Sequence, residues 1–218
     1  MGFVVYEIGD LMYKNKFSYE NTTKFIFEGE GIFNIPIINA TDNIDNLENL
    51  IGFNYAMSSK KKDCGVHFFL DDYQFQRLWN NPEKYIEVLM KYPFVLSPDF
   101  SLYSDYPRAL QIYNHYKKHW LAAYWQMYGI KVIPTICWSD EVSYNYCFDG
   151  EPKNSIVAVS SVGTQKSNKD KELFLQGYNE MLERLEPTQI IFYGTVPEEC
   201  KGNIVQVKSF QEKFRRSE

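Results

Sequence analysis

The sequence has few of the residues that most often form metal centres. Its 218 residues include four cysteines and three histidines, and no two cysteines form a CxxC pair. No Cys/His spacing typical of a zinc site is present, so we expect no metal site built from these residues and reduced cysteines of a cytosolic protein. The cysteines are Cys64, Cys137, Cys147 and Cys200, and the histidines are His67, His115 and His119.

Long apolar runs and a net positive charge are also lacking. No run approaches membrane-spanning length, and the first residues lack the charged and apolar regions of a signal peptide. We therefore expect a cytoplasmic protein without membrane contact. The net charge of -5 argues against a general duplex-binding protein. Lysine-rich segments at residues 59–63 and 116–119 leave a local nucleic-acid contact open.

Common nucleophile motifs are missing as well. The chain has no GxSxG elbow, and its glycines lack the spacing of a Walker loop. Ser101 has no evident partner for nucleophilic catalysis. His115 and His119 are expected in mid-helix, where they offer a triad no obvious base, and Cys137 is expected to be a small apolar filler.

What the sequence does contain is an alternation of short apolar runs and amphipathic stretches. Strands are predicted at residues 52–57, 66–70, 94–97, 131–138, 155–160, 189–193 and 203–207. Helices are predicted at residues 75–92, 108–128 and 171–185. Strand, helix and strand at short spacing imply parallel pairing through right-handed crossovers.

These elements predict an α/β fold with a compact, mostly parallel sheet. A small or incomplete TIM-like barrel is favoured because nearly every strand end carries polar residues, and because full barrels need roughly 250 residues. An open doubly wound sheet is the alternative. Residues 1–49 are predicted to be an N-terminal extension packed on the core. Residues 50–218 are predicted to form the catalytic or binding domain.

Carboxylates follow three of the predicted strands. Pro98 should end one strand, because proline cannot donate to a sheet ladder, which places Asp99 just beyond the strand's carboxyl end. Asp71 and Asp72 follow another strand, and Asp140 follows a third. If the strands are parallel, these side chains converge at one edge, where parallel α/β folds carry their chemistry.

Converging carboxylates suit two kinds of site. Two carboxyl groups a few ångströms apart are the catalytic pair of glycoside hydrolysis. Their mutual repulsion raises the pKa of one of them, so that one acts as an acid and the other as a base. Three carboxylates would alternatively hold Mg²⁺ through oxygen ligands. The structural alternative is that each aspartate caps a helix or shapes a turn.

Further polar and aromatic residues are candidates for substrate contact. A small-residue loop after a strand would hold an anionic group, unless it is only a flexible connection. One face of the helix after Asp99 would reach the site, unless it is solvated. Aromatic rings would stack on a sugar or base, unless they only pack the core. The candidates are Asp71, Ser101, Arg108, Gln111, Trp138, Ser160, Gly163, Thr164 and Tyr193.

Several of these segments together resemble a known family. They are residues 67–72 (HFFLDD), residues 97–101 (SPDFS), residues 132–134 (VIP), Trp138 and the pair Tyr193-Gly194. The combination resembles an uncharacterised domain family of bacteria, their phages and mobile elements, filed as a domain of unknown function. The resemblance covers about residues 50–200. It implies a phage or plasmid accessory role and brings no established reaction.

Two functions are expected from these observations. The first is a hydrolase or glycosyl transferase acting on a glycoside, nucleoside or nucleotide. Asp99 would be the nucleophile or general base, and Asp72 or Asp140 the partner acid. The second is a non-catalytic protein that sequesters a nucleotide-like ligand, or binds nucleic acid or a host protein.

Overall fold

The structure is a computed structural model that describes residues 20–210 and 212. The strands are β1 (Gly29–Glu30), β2 (Ile35–Pro36), β3 (Leu50–Gly52), β4 (Gly65–His67), β5 (Val95–Leu96), β6 (Val132–Ile133), β7 (Ile156–Ser160), β8 (Gln189–Tyr193) and β9 (Ile204–Val207). The α-helices are α1 (Phe53–Ala56), α2 (Gln76–Asn80), α3 (Ile86–Leu89), α4 (Arg108–Met127) and α5 (Asn168–Leu185). Short 3₁₀ helices span Asp72–Gln74, Pro82–Tyr85 and Glu141–Asn145.

Two parallel sheets form the centre of the fold. One has the strand order β3-β4-β5-β6, and the other has the order β7-β8-β9. A single parallel bridge between Thr135 and Ala158 connects their neighbouring edges. The hairpin of β1 and β2 is antiparallel. The predicted α/β class and parallel pairing are confirmed, but within the described part of the chain the sheets do not close into a barrel.

The strands are short, apolar and buried, as expected for a sheet covered on both faces. One apolar cluster draws side chains from both sheets, among them Leu96 and Ile133 from the first and Ala158 and Ile191 from the second. On the outside, α4 packs Trp120 into a second cluster. This shared packing holds the carboxyl ends of the strands in fixed positions relative to α4.

Helix α5 covers the second sheet with an apolar stripe. Phe174, Tyr178 and Met181 recur at helical spacing and are buried against β7 and β8. Gly177 lies on the same stripe, where an added Cβ would stand 2.2 Å from the indole Nε1 of Trp138. The missing side chain therefore lets Trp138 approach the helix closely.

Several predicted elements differ from the structure for identifiable reasons. The predicted helix at residues 75–92 is broken at Pro82, which cannot donate the helical hydrogen bond. The predicted strand at 52–57 is instead the end of β3 followed by α1, because its apolar run is too short to distinguish strand from helix. The predicted strand at 131–138 stops after Ile133.

The predicted N-terminal extension falls partly outside the described residues. Residues 1–19 are not described, whereas Phe25 and Phe27 pack on the same apolar cluster as α4. Among the helices of the described part of the chain, none combines the length and the apolar character that a membrane span requires. All four cysteines are free thiols.

Candidate functional site

The carboxyl ends of β4, β5 and β6 lie at one edge of the first sheet, because the three strands are parallel neighbours. The segments after them contain Asp72, Asp99 and Asp140. Helix α4 connects β5 to β6 and turns a buried polar face toward these segments. Buried polar groups are costly unless they are paired, so this face has to be satisfied by specific partners. Its members are Gln111, Asn114, His115, Lys118 and His119.

Asp72 is fixed by the segment that follows β5. Its two carboxylate oxygens accept hydrogen bonds from the Ser101 backbone N–H at 3.2 Å and from the Ser101 hydroxyl at 2.9 Å. The side chain of Asn114 donates to the Ser101 carbonyl at 2.7 Å. Asp72 begins a 3₁₀ helix, but its carboxylate bonds across to the next strand end. The segments that follow β4 and β5 are therefore in direct contact through Asp72 and Ser101.

Asp99 is partly exposed, yet its carboxyl group is largely desolvated. Burial raises its pKa, the Lys118 ammonium lowers it, the Asp72 charge raises it and a hydrogen bond from the Cys137 thiol lowers it. The net result is a pKa of about 6. Asp72 and Asp99 are thus electrostatically coupled, with the proton held more tightly on Asp99 than on an ordinary aspartate.

A buried ion pair lies behind Asp99. Lys118 Nζ donates to Glu151 Oε1 at 2.6 Å and to the Thr135 carbonyl at 2.9 Å. Burial opposes the charge on Lys118, but Glu151, together with Cys137 and Asp99, outweighs this and raises the lysine pKa. Burial likewise acts to raise the pKa of Glu151, and the charges of Lys118 and His119 lower it below its usual value. Both groups are therefore ionised at neutral pH.

Two histidines of α4 adjoin this pair. The rings of His115 and His119 lie one helical turn apart, with centroids separated by 4.3 Å. His119 Nε2 is 3.0 Å from Glu151 Oε1, and both side chains are fully buried. Burial and the neighbouring charges of His119 and Lys118 hold the pKa of His115 well below its usual value.

Asp140 takes part in a different set of contacts. Arg108 forms a bidentate pair with it, with N–O distances of 3.0 and 2.8 Å. The arginine hydrogen bond holds the pKa of Asp140 below its usual value. Asp140 also caps the 3₁₀ helix at Glu141–Asn145 by accepting from the backbone of Ser143. It is ionised and paired, so these contacts do not support a role as partner acid.

The face of α4 that begins at Arg108 is only partly solvated. Gln111 is fully buried, and its side-chain oxygen accepts from the hydroxyls of Ser139 and Tyr146. Arg108 and Gln111 therefore hold the segment around Asp140 in place. The three aspartates do not come together as an Mg²⁺ site. Within the described ranges, the acidic, His or Cys side chains that lie close enough together to share one metal ion are His115, His119 and Glu151.

The remaining predicted binding residues lie in three other settings. Tyr193 is buried in the core, where it stacks on Phe69 with a centroid distance of 4.7 Å. Asp71 is exposed and precedes the 3₁₀ helix without a side-chain cap bond. Trp138 packs on Phe174 at 5.4 Å between ring centroids. Tyr193 therefore packs the interior, whereas Trp138 is half-buried against α5.

The loop after β7 is held by its own hydrogen bonds. Ser160 Oγ accepts from the backbone N–H of Val162, and the Thr164 hydroxyl donates to the carbonyl of Ser161. Gly163 is exposed with a φ of +85°, a conformation that favours glycine. Helix α5 begins only at Asn168, so its N-terminus does not follow the loop directly.

Surface shape and surface charge add two observations. A groove of about 370 Å³ beside α5 is lined by Lys171 and Glu199, and one of about 320 Å³ is lined by Asn43 and Lys131. Neither groove contains Asp72 or Asp99. Of the two lysine-rich segments, residues 116–119 are mostly buried, so they present no basic surface.

Comparison with known proteins identifies the family. Residues 27–211 match the family described as a domain of unknown function, DUF4417. The chain belongs to this family. It is 38% identical to the "Gene 1 protein" of Mycobacterium phage L5 over 174 residues, which cover 78% of this chain and 75% of the relative. The "Gene 1 protein" of Mycobacterium phage D29 is 41% identical over 145 residues, covering 66% and 54%.

The resemblance to an uncharacterised, phage-associated family is thus confirmed. The second match spans only about half the length of its phage relative. No solved structure matches the chain. The DUF4417 match includes the β1–β2 hairpin, whose Pro36 carbonyl contacts His119 at 2.8 Å.

Four members of the buried cluster in this DUF4417 chain were not among the predicted site residues. They are His115, Lys118, His119 and Glu151. One signal was available, since two histidines four residues apart share a helix face. The pairing with Glu151 had no signal, because it depends on how the loop after the 3₁₀ helix folds back on α4.

Proposed function

We propose that this protein is a phage accessory enzyme, a hydrolase or glycosyl transferase in which Asp99 and Asp72 act as an acid–base pair. The observation that carries the proposal is the pKa of about 6 at Asp99, next to an Asp72 carboxylate fixed by Ser101. A carboxyl group with a strongly raised pKa beside a second carboxylate is typical of acid–base sites. The phage context comes from the two phage relatives.

The geometry favours a different division of roles from the one the sequence suggested. Asp99 keeps its proton up to about pH 6, well above an ordinary aspartate, so it suits a general acid that protonates a leaving group. Asp72 is held in place by two hydrogen bonds from Ser101, so it is positioned to act as the nucleophile or as the base that activates water. After proton transfer, the Lys118 ammonium would stabilise the Asp99 carboxylate.

The substrate class follows from this chemistry. Acid-assisted cleavage with a second carboxylate is the pattern of glycosidic bond hydrolysis, in glycosides and in nucleosides or nucleotides. An incomplete TIM-like barrel is part of the same proposal. It is supported by the apolar cluster shared between the two sheets and by the common edge that carries both aspartates.

A release assay tests the enzyme proposal. The full chain is incubated with ribonucleosides, deoxyribonucleosides, their 5′-monophosphates and nitrophenyl glycosides, and the free base or nitrophenol is measured. We expect turnover of at least one compound, and a loss of about 10²–10⁴-fold in kcat for Asp99→Asn. Asp140→Asn is the matched control and should keep its activity. Equal activity of Asp99→Asn and the wild type would overturn the proposal.

Binding without turnover is the second candidate function. It is supported by one observation: the two grooves of about 370 and 320 Å³ are lined by residues other than Asp72 and Asp99, so a ligand held there would be bound without meeting the acid–base pair. In that case a nucleotide such as a 5′-monophosphate would raise the unfolding temperature and be recovered unchanged by mass spectrometry. Release of product from that compound would exclude this candidate for that ligand.

A further inference from the structure

Three buried side chains place metal-ligand atoms close together away from the Asp72–Asp99 pair. They are His115, His119 and Glu151, and their ligand atoms all lie within 4.8 Å of one another. The two histidines share one face of α4 at a spacing of four residues, and Glu151 comes from the loop before β7. All three are buried, so the group is not a chance cluster on a solvated surface.

Backbone carbonyls fix the orientation of both imidazole rings. His115 Nε2 is 3.1 Å from the carbonyl of Asp149, and His119 Nδ1 is 2.8 Å from the carbonyl of Pro36. A carbonyl oxygen only accepts, so these ring nitrogens must carry the protons. Metal-binding histidines are typically held in this way, with the other ring nitrogen left to face the ion.

The atoms left to face the centre lack suitable partners. Among the described residues, His115 Nδ1 and Glu151 Oε2 have no hydrogen-bond partner although both are buried. His119 Nε2 faces Glu151 Oε1 at 3.0 Å. A bare nitrogen lone pair against a carboxylate oxygen is unfavourable, so a proton or a metal ion has to lie between them. Buried polar atoms are almost always satisfied by a protein group, a water molecule or an ion.

We propose that His115 Nδ1, His119 Nε2 and the Glu151 carboxylate bind a divalent transition metal ion of the zinc class. Two imidazoles and a carboxylate form a ligand set that Zn²⁺ uses in proteins. Imidazole also suits Co²⁺, Ni²⁺ and Cu²⁺, whereas Mg²⁺ prefers oxygen ligands alone. The proposal does not rest on the acid–base function, because neither Asp72 nor Asp99 is a ligand.

Lys118 is the competitor of the ion at this site. Its ammonium occupies one oxygen of Glu151 and leaves the other open. Ligands on one tetrahedral zinc ion lie about 3.4 Å apart, so the three side chains would contract on binding. The ion would then replace the lysine contact, while Lys118 keeps its bond to the Thr135 carbonyl.

The position of the site indicates what the ion would do. It would tie α4 to the loop at residues 149–151 and, through the Pro36 carbonyl, to hairpin β1–β2. Gly150 makes this approach feasible, since a Cβ there would stand 2.9 Å from His119 Nδ1. Because the side chains are buried, the ion would be taken up as the chain folds and would act structurally.

Metal titration of the full chain tests the proposal. Chelator-treated protein is titrated with Zn²⁺ and, separately, with Co²⁺. We expect one ion per chain, visible absorption typical of tetrahedral Co²⁺ and a higher unfolding temperature. His115→Gln and His119→Gln should each weaken binding at least tenfold, whereas His67→Gln, the matched control outside the cluster, should bind as the wild type does. Lys118→Met should bind at least as tightly, since it removes the competing cation.

Other outcomes would overturn the proposal. They are the absence of bound ion at an excess of Zn²⁺, or equal binding in the His115→Gln, His119→Gln and His67→Gln variants. If the histidine variants do not fold, X-ray absorption of the wild type with Zn²⁺ decides. A spectrum without imidazole nitrogen ligands contradicts the site. None of these readouts depends on turnover, so failure here is distinct from failure of the enzyme proposal.

Discussion

Lys118 Nζ lies 2.6 Å from Glu151 Oε1, and the two side chains are 1% and 0% exposed. A pair buried this deeply pays a large desolvation cost, and breaking it leaves an uncompensated charge in the core. The pair also stands between the Asp99 carboxyl and the two histidines of α4, since Lys118 interacts with Asp99 and Glu151 contacts His119. The energetics of this pair therefore underlie both proposals.

The first prediction concerns the strength of that pair. Lys118→Met should lower the free energy of unfolding by about 3–5 kcal/mol, because it leaves the buried Glu151 charge without its ammonium partner. The double variant Lys118→Met/Glu151→Gln should recover part of the loss. Urea unfolding of the four proteins in the presence of a chelator gives the coupling energy, expected to be about 2 kcal/mol. A coupling energy near zero would show that the two groups are not paired.

The second prediction concerns stability against pH at Asp99. Its folded pKa is about 6 and that of an unfolded aspartate is about 3.9. The native state therefore binds more protons between pH 4 and 6, and stability is lost as pH rises through this window. Asp99→Asn should exceed the wild type by up to about 3 kcal/mol at pH 8, with the difference vanishing below pH 4. Urea unfolding at pH 4, 6 and 8 measures this, and a difference that is constant with pH would contradict it.

The third prediction separates Asp140 from the acid–base pair. Asp140→Asn removes the ion pair with Arg108 but keeps an oxygen that accepts from Ser143. Because both side chains are about one-third exposed, the cost should be about 0.5–1 kcal/mol. The pKa of Asp140 is lowered, so this contribution is present above pH 4 and is lost as the pH falls. Unfolding at pH 7 and pH 3 checks it. A larger loss at pH 3 than at pH 7 would refute it.

Much of the fold was predictable because its periodic patterns are strong. Helices α4 and α5 and strands β7, β8 and β9 lie within a few residues of their predicted bounds, since long stripes and unbroken Val/Ile runs allow few alternatives. The predicted helix at 75–92 was wrong where Pro82 interrupts it. The closure of the sheets was not predictable, because it depends on strand lengths and stagger that hydrophobic patterns do not encode.

The candidate site was predictable only in part. Proximity of Asp72 and Asp99 follows from parallel neighbouring strands, since their carboxyl ends meet at one edge. Asp140 also follows a neighbouring strand, but its carboxylate is paired with Arg108, the first residue of α4. The partner of Lys118 could not be predicted, because Glu151 is 33 residues away in a loop whose path is set by tertiary packing.

The central claim is that burial and the Asp72 charge raise the pKa of Asp99 to about 6, so that it holds its proton in a pH range where an ordinary aspartate is ionised. The most direct measurement is a pH titration of the Asp99 carboxyl carbon by NMR, in the wild type and in Asp72→Asn. We expect a midpoint at about pH 6 in the wild type, moving to lower pH in the variant as the repelling charge is removed. An ordinary midpoint near pH 4, unchanged by Asp72→Asn, would contradict the account.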